Sequence, residues 1–189
     1  FSYRFEAALD MRMNQAEERS AATVLNTATA EMLQRIFGSY GEVRNAKTLA
    51  EHIVQARQTR PLQTIGDLLA VLEPLIRGNR LRYLSQVFQA LRIEVNDEMG
   101  ALADMLAQAY EVLKPGGRLV VLSYHSIEDR LVKNFLKTGN ADGEVQKDFY
   151  GNIFRPFSFP DSKMSQPSEV EIRQNPRARS AKLRVAAKR

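Results

Sequence analysis

Tyr124, His125 and Ser126 follow directly on the short aliphatic run Arg118–Ser123, with Glu128 and Asp129 just beyond. In open α/β sheets, sites form at the carboxyl ends of strands, so this position suits chemistry. A tyrosine ring there can stack on a base, and an imidazole can bond a base or a phosphate. Structural roles stand beside these. Tyr124 fits a packed strand end, His125 a bond to its own turn, and Ser126 a helix cap. Glu128 and Asp129 suit the first turn of a helix, where carboxylates favour the dipole. A second pair, Asp10 and Arg12, fits either an active loop or an ion pair bracing a turn. A third group, Asn175, Arg177 and Arg179, sits in a basic tail and suits contact with a nucleic-acid backbone or a solvated strand end. Arg130 and Lys133 fall near one helix face and add to the basic surface, or simply face water.

The balance of residue types is that of a folded protein: 189 residues, 44% hydrophobic and 26% charged. The absence of cysteine excludes disulfides and cysteine-based metal sites, and leans toward the cytoplasm. No apolar run approaches the roughly 18 residues of a membrane helix. The net charge is +5, and its placement is uneven: Arg173 to Arg189 holds seven basic residues and no acid. Such a tail fits a phosphate-rich partner, since each phosphate contact releases counterions. The chain opens on Phe1 without targeting character, which reads as a truncated polypeptide.

The elements that must position these residues are mostly helical. After an irregular segment over 1–19, Ser20 caps a helix with the apolar face Ala21, Val24, Leu25, Ala28, Met32 and Ile36, stopped by Gly38 and Gly41. Asn45 caps a second helix that Pro61 breaks. Thr64 and Asp67 form a capping box for a third, closed by Pro74 and Gly78. The stripe Phe88, Leu91, Val95, Met99, Leu102, Leu106, Ala109 and Leu113 predicts one long helix from about Leu84 to Leu113, with Gly100 its weak point. Pro115-Gly116-Gly117 then turns into Arg118–Ser123, which reads as a buried parallel strand. Ser126, with Asp129 at the capping-box position, starts a further helix. Residues 138–169 read as a long loop with at most one strand, near Phe154 to Ser158. Ser168 caps one turn of helix. Ser180 to Ala187 reads as a last strand with Leu183 and Val185 facing in. Three candidate strands make half a parallel sheet, so the other half is expected before Phe1.

Several segments carry a resemblance. Leu113–Val121 (LKPGGRLVV) is similar to the helix-turn-strand that leads into the fifth strand of Rossmann-like methyltransferases. Leu9-Asp10-Met11-Arg12-Met13, Phe88–Glu98 (FQALRIEVNDE), Ser123–Lys133 (SYHSIEDRLVK) and Asn175–Arg184 (NPRARSAKLR), in that order, resemble the RsmH (MraW) family over nearly the whole chain. Asn14 departs from it, since the family commonly has an acid there.

The resemblance implies an α/β fold: the C-terminal half of a Rossmann-like class I methyltransferase sheet plus an inserted all-helical domain. Residues 1–13 would be a loop of the catalytic domain, 14–86 the helical insertion and 87–189 the C-terminal part of the catalytic domain. The implied reaction moves a methyl group from S-adenosylmethionine to N4 of a cytidine in the decoding region of 16S rRNA. The partner is the small ribosomal subunit, in the cytoplasm, with no membrane. The target base must be flipped out and held, and an acceptor must take the amine proton. Asp10, Tyr124 and His125 are the catalytic candidates. Arg12, Arg130, Lys133, Asn175, Arg177 and Arg179 are the RNA-binding ones, with Arg57, Arg60, Arg77, Arg80 and Arg82 as a further patch on the insertion. No cofactor residue is assigned, because Gly116-Gly117 precedes a strand and the donor site is expected upstream of Phe1. Two other readings stay open: a non-catalytic helical RNA-binding module, and a homodimer paired through the open sheet edge at 119–123.

Overall fold

The computed structural model describes residues 5–159 and 164–189; the first four residues and part of the 138–169 loop lie outside them. The chain forms two compact units, Phe1–Glu98 and Met99–Arg189.

The first unit is helical: α1 (Ala21–Thr27), α2 (Ala30–Ser39), α3 (Ala46–Thr59), α4 (Ile65–Leu72), a 3-10 turn (Glu73–Leu75) and α5 (Arg80–Val95). Their apolar faces close on Leu25, Leu33, Ile36, Phe37, Leu49, Ile53, Leu68, Leu72, Leu84 and Leu91, all fully buried. The Thr64–Asp67 capping box forms as expected. The single helix expected after Ser20 is instead two. Ala28 turns extended, and the Thr29 hydroxyl accepts from Met32 N to start α2. Arg57 donates to the carbonyls of Leu25 (2.8 Å) and Ala28 (2.7 Å), satisfying the end of α1 and holding the break.

The long helix expected over 84–113 is also two, α5 and α6 (Glu98–Val112). The break is not at Gly100. Asn96 ends α5 and Asp97 adopts a left-handed backbone, φ 45°. Apolar spacing continues across this turn, so periodicity alone hides it.

The second unit holds α6, β1 (Arg118–Ser123), α7 (Ser126–Thr138), β2 (Phe157–Ser158), α8 (Glu169–Gln174), a 3-10 turn (Pro176–Ser180) and β3 (Lys182–Lys188). The three strands lie where the sequence places them, in the order β1-β3-β2. Both pairings are antiparallel, which corrects the expected parallel strand. An aliphatic run does not report strand direction, and β1 is not buried on both faces as a central parallel strand would be.

The faces of β3 are also inverted from expectation. Leu119 and Val121 of β1 pack on the core of Leu106, Val132, Phe135, Leu136, Phe157 and Ala186. Opposite them stand Ala186 and Arg184, so the inner face of β3 carries Lys182, Arg184, Ala186 and Lys188. Lys188 keeps its stem inside by donating to the Tyr110 carbonyl (2.6 Å), with Nζ 4.2 Å from the Tyr110 ring centre. Leu183 and Val185 lie on the other face beside Leu122 and Val120, which are 51% and 57% exposed. The far edge of β1 has no ladder partner among the described residues.

A bare apolar face beside an open edge favours association. The chain alone is expected to grow in apparent size with concentration on gel filtration, and Val120→Lys with Leu122→Lys to abolish that growth. Identical elution of the two proteins at every loading would refute this.

Candidate functional site

In the helical unit, the Leu9–Met13 loop is fixed from several sides. Leu9 N donates to Gln63 O (2.9 Å), and the carbonyls of Asp10 and Leu9 accept from Ala21 N and Ala22 N, both at 2.7 Å. Met11 is buried with φ 62°, a backbone that a side-chain-bearing residue seldom adopts. Asn96 holds it there: its side chain accepts from Met13 N (2.7 Å) and donates to Met11 O (2.8 Å). The strained residue therefore sits between two positioned ones, a common feature of functional loops.

Arg12 grips Asp10 with two bonds, Nε to Oδ1 at 2.6 Å and Nη2 to Oδ2 at 3.0 Å. This holds the Asp10 carboxyl below the usual carboxylate range, so it is an anion at neutral pH. The third Arg12 nitrogen, Nη1, reaches Glu17 O at 2.5 Å. The pair thus braces the turn and also lines a cleft of about 340 Å³, whose other walls include Phe5, Ala7, Leu9, Ile65 and Phe88. One carboxylate in an apolar slot suits a flat ring that carries a hydrogen-bond donor.

In the second unit, β1 ends at Ser123 and His125 caps α7. His125 Nδ1 accepts from Glu128 N at 3.5 Å, and Nε2 lies 2.9 Å from Glu128 Oε1. That last approach is out of line for a hydrogen bond. Glu128 Oε2 in turn accepts from Tyr124 N at 3.0 Å. The result resembles a capping box, with histidine at the cap and Glu128 reaching back to the N–H of Tyr124, one residue before it. It corrects the assignment of the cap to Ser126 and of the box to Asp129. His125 lowers the pKa of Glu128 below the ordinary glutamate range. The imidazole is committed to its own turn, whereas the Tyr124 ring is 53% exposed.

Asp129 does something else. It is buried, and accepts from Arg184 Nε (2.7 Å), Arg184 Nη2 (3.1 Å) and Lys182 Nζ (3.2 Å). Burial pushes its pKa up, but the bonds and charges of Arg184 and Lys182 outweigh that and hold it below the usual range. Farther along, Asn175 Oδ1 accepts from Arg177 N (3.2 Å) and starts the 3-10 turn that presents Arg177 and Arg179 to solvent.

A family model described as the MraW methylase family matches residues 1–189. The chain belongs to the MraW methylase family. The ribosomal RNA small subunit methyltransferase H of Parabacteroides distasonis is 52% identical over 189 residues, covering all of this chain and 62% of that protein. The protein of the same name from Bacteroides thetaiotaomicron is 53% identical over 190 residues, with the same coverage. That from Cytophaga hutchinsonii is 50% identical over 187 residues, 98% of this chain and 62% of that one. The chain therefore spans about 62% of the length of these curated relatives.

Within this MraW chain, Asp10 and Arg12 come together in the helical unit. Tyr124 and His125 come together in the second unit through Glu128. Arg130, Lys133, Arg177 and Arg179 are exposed on that second unit, Arg130 with a partner of its own. The patch expected on the insertion divides. Arg57 caps α1, Arg60 pairs with Asp67 (3.3 Å), and Arg80 pairs with Glu73 (3.1 Å). Arg77 and Arg82 remain.

The roles of Asn96, Asp129, Lys182 and Arg184 escaped the sequence reading. Asp129 did leave a signal, because it occupies the apolar stripe that continues through Val132 and Leu136. Among the described residues, no group of three or more His, Cys, Asp and Glu side chains suits a metal, and no helix is long and apolar enough to cross a membrane.

The Gly116–Gly117 turn does not fit a methyl-donor cradle. Gly116, at φ 80°, donates to Lys188 O (2.8 Å) and Gly117 to Lys114 O (2.8 Å). They form the tight turn at the amino end of β1, whereas nucleotide-type ligands take the carboxyl end.

Proposed function

We propose that this chain belongs to an S-adenosylmethionine-dependent methyltransferase that modifies N4 of a cytidine in 16S rRNA, acting on the small ribosomal subunit in the cytoplasm. Residues 14–86 are the helical insertion, 1–13 a loop of the catalytic domain and 87–189 its C-terminal part. The names of the relatives support the rRNA substrate. The open edge and bare face of the sheet support a larger Rossmann-like sheet, completed by a segment that also holds the donor.

The observation that carries the chemistry is the Asp10 carboxylate on the wall of the apolar slot. A flipped-out cytosine needs apolar surfaces for its ring and an acceptor for its exocyclic amine. Asp10 accepts from that amine, while Arg12 keeps the carboxylate charged and aimed. On the second unit, taken by itself, Tyr124 offers an exposed ring for stacking on an RNA base. His125, with its imidazole bound to Glu128, positions Tyr124 through their shared partner. Arg12, Arg130, Lys133, Asn175, Arg177 and Arg179 serve the RNA backbone.

The test has two arms. The full-length protein is incubated with donor and small subunits from cells lacking the modification, and the product nucleoside is mapped by mass spectrometry. N4-methylcytidine is expected; methyl groups on another atom, or none, would refute the reading. In the second arm, calorimetry on the 189-residue chain alone is expected to show no donor binding, and micromolar affinity would place the donor site within it.

A further inference from the structure

The helical unit contains a second cleft, of about 670 Å³, at the amino end of α5. Arg44, Arg77 and Arg82 line it, with Glu42 the one acid among its described lining residues. All three arginines are exposed, and none makes an ion pair among the described residues. This sets them apart from Arg12, Arg19, Arg60, Arg80 and Arg92 of the same unit, each held by a carboxylate.

Three guanidinium groups around one concave surface repel one another, and an anion between them removes that cost. Two further features favour an anion. α5 is a helix of 16 residues whose amino end, capped by Asn79, points its positive dipole end at the cleft. Tyr83, on the cleft wall and 7% exposed, has a hydroxyl with no hydrogen bond of good geometry. The neighbouring Asn45 carboxamide instead donates to Leu75 O (3.3 Å).

We propose that the Arg44–Arg77–Arg82 cleft binds phosphate groups of single-stranded RNA, a contact of the helical unit separate from the Asp10 slot. Its volume of about 670 Å³ exceeds what a single phosphate fills, and guanidinium forks suit successive phosphates. Tyr83, the one aromatic among its described lining residues, is buried, so the exposed arginines are what the cleft offers to a strand. The proposal rests on the RNA-modifying reading above.

The experiment titrates full-length protein against a fluorescein-labelled, mixed-sequence RNA oligonucleotide at several salt concentrations. It compares wild type with Arg44→Gln/Arg77→Gln/Arg82→Gln and with the matching triple Lys variant. Thermal melts followed by circular dichroism check the fold. The Gln variant is expected to bind at least about tenfold more weakly, and its log–log salt slope to flatten by about 2, from roughly 0.7 per phosphate on a single strand. The Lys variant should retain most of the slope, which a purely structural role would not produce. Wild-type binding with an unchanged Gln variant overturns the cleft and leaves the methyltransferase reading intact. No RNA binding by wild type overturns both.

Discussion

Asp129→Asn is expected to destabilise the Met99–Arg189 unit by about 3–5 kcal/mol, the usual cost of removing one partner from a buried ion pair. The carboxylate is sealed between α7 and β3 and answers two cations, and Arg184 is itself 8% exposed. An amide keeps the shape but removes the Asp129 charge from a guanidinium that is itself buried. Denaturant melts measure the loss; one below about 1 kcal/mol would mean that water reaches the pair. The pair as a whole is a different matter. Asp129→Leu combined with Arg184→Met removes both charges and should recover most of the stability.

The acid dependence follows from the lowered pKa of Asp129. Its contribution is complete above the unfolded carboxylate value and is lost as pH falls through the folded value. Wild type should therefore weaken from about pH 4 downward, with a shallower acid limb in the Asn variant.

The second large effect concerns Asp10. In the full-length protein, Asp10→Ala is expected to reduce kcat by about a hundredfold or more, the range of a positioned proton acceptor. The KM for the methyl donor should hardly change. Asp10→Asn keeps an acceptor oxygen without the charge and should fall between. Because Arg12 keeps the carboxyl ionised, the Asp10-dependent acid limb of kcat should lie below about pH 4. A kcat within twofold of wild type for the Ala variant would leave the Asp10–Arg12 pair as a brace alone.

Much of the scaffold was legible because it depends on local signals. The Thr64–Asp67 capping box, the Ser168 cap and the sites of the three strands are each set within a few residues. The breaks at Ala28–Thr29 and Asn96–Asp97 were not legible, since the apolar spacing runs on through both. What decides them is distant in sequence. Arg57 satisfies the end of α1, and Asn96 ties Met11 and Met13 to the end of α5. The site residues divide the same way. The proximity of Asp10 to Arg12 could be read from their spacing, but the cleft beside them could not, because Ile65 and Phe88 come from remote helices. His125 looked like chemistry and is largely a cap. Asp129 looked like a dipole-favouring carboxylate and is a buried partner of β3, a strand whose charged residues face inward.

That inward charge has a consequence for how β3 finds its place. By hydrophobicity alone, a slip of one residue along β1 would be welcome, since it would turn Leu183 and Val185 toward α7. The same slip would carry Lys182 and Arg184 to the outside and leave Asp129 sealed in without a cation. The trio therefore works as an alignment key, penalising the shifted sheet that its apolar residues would otherwise prefer.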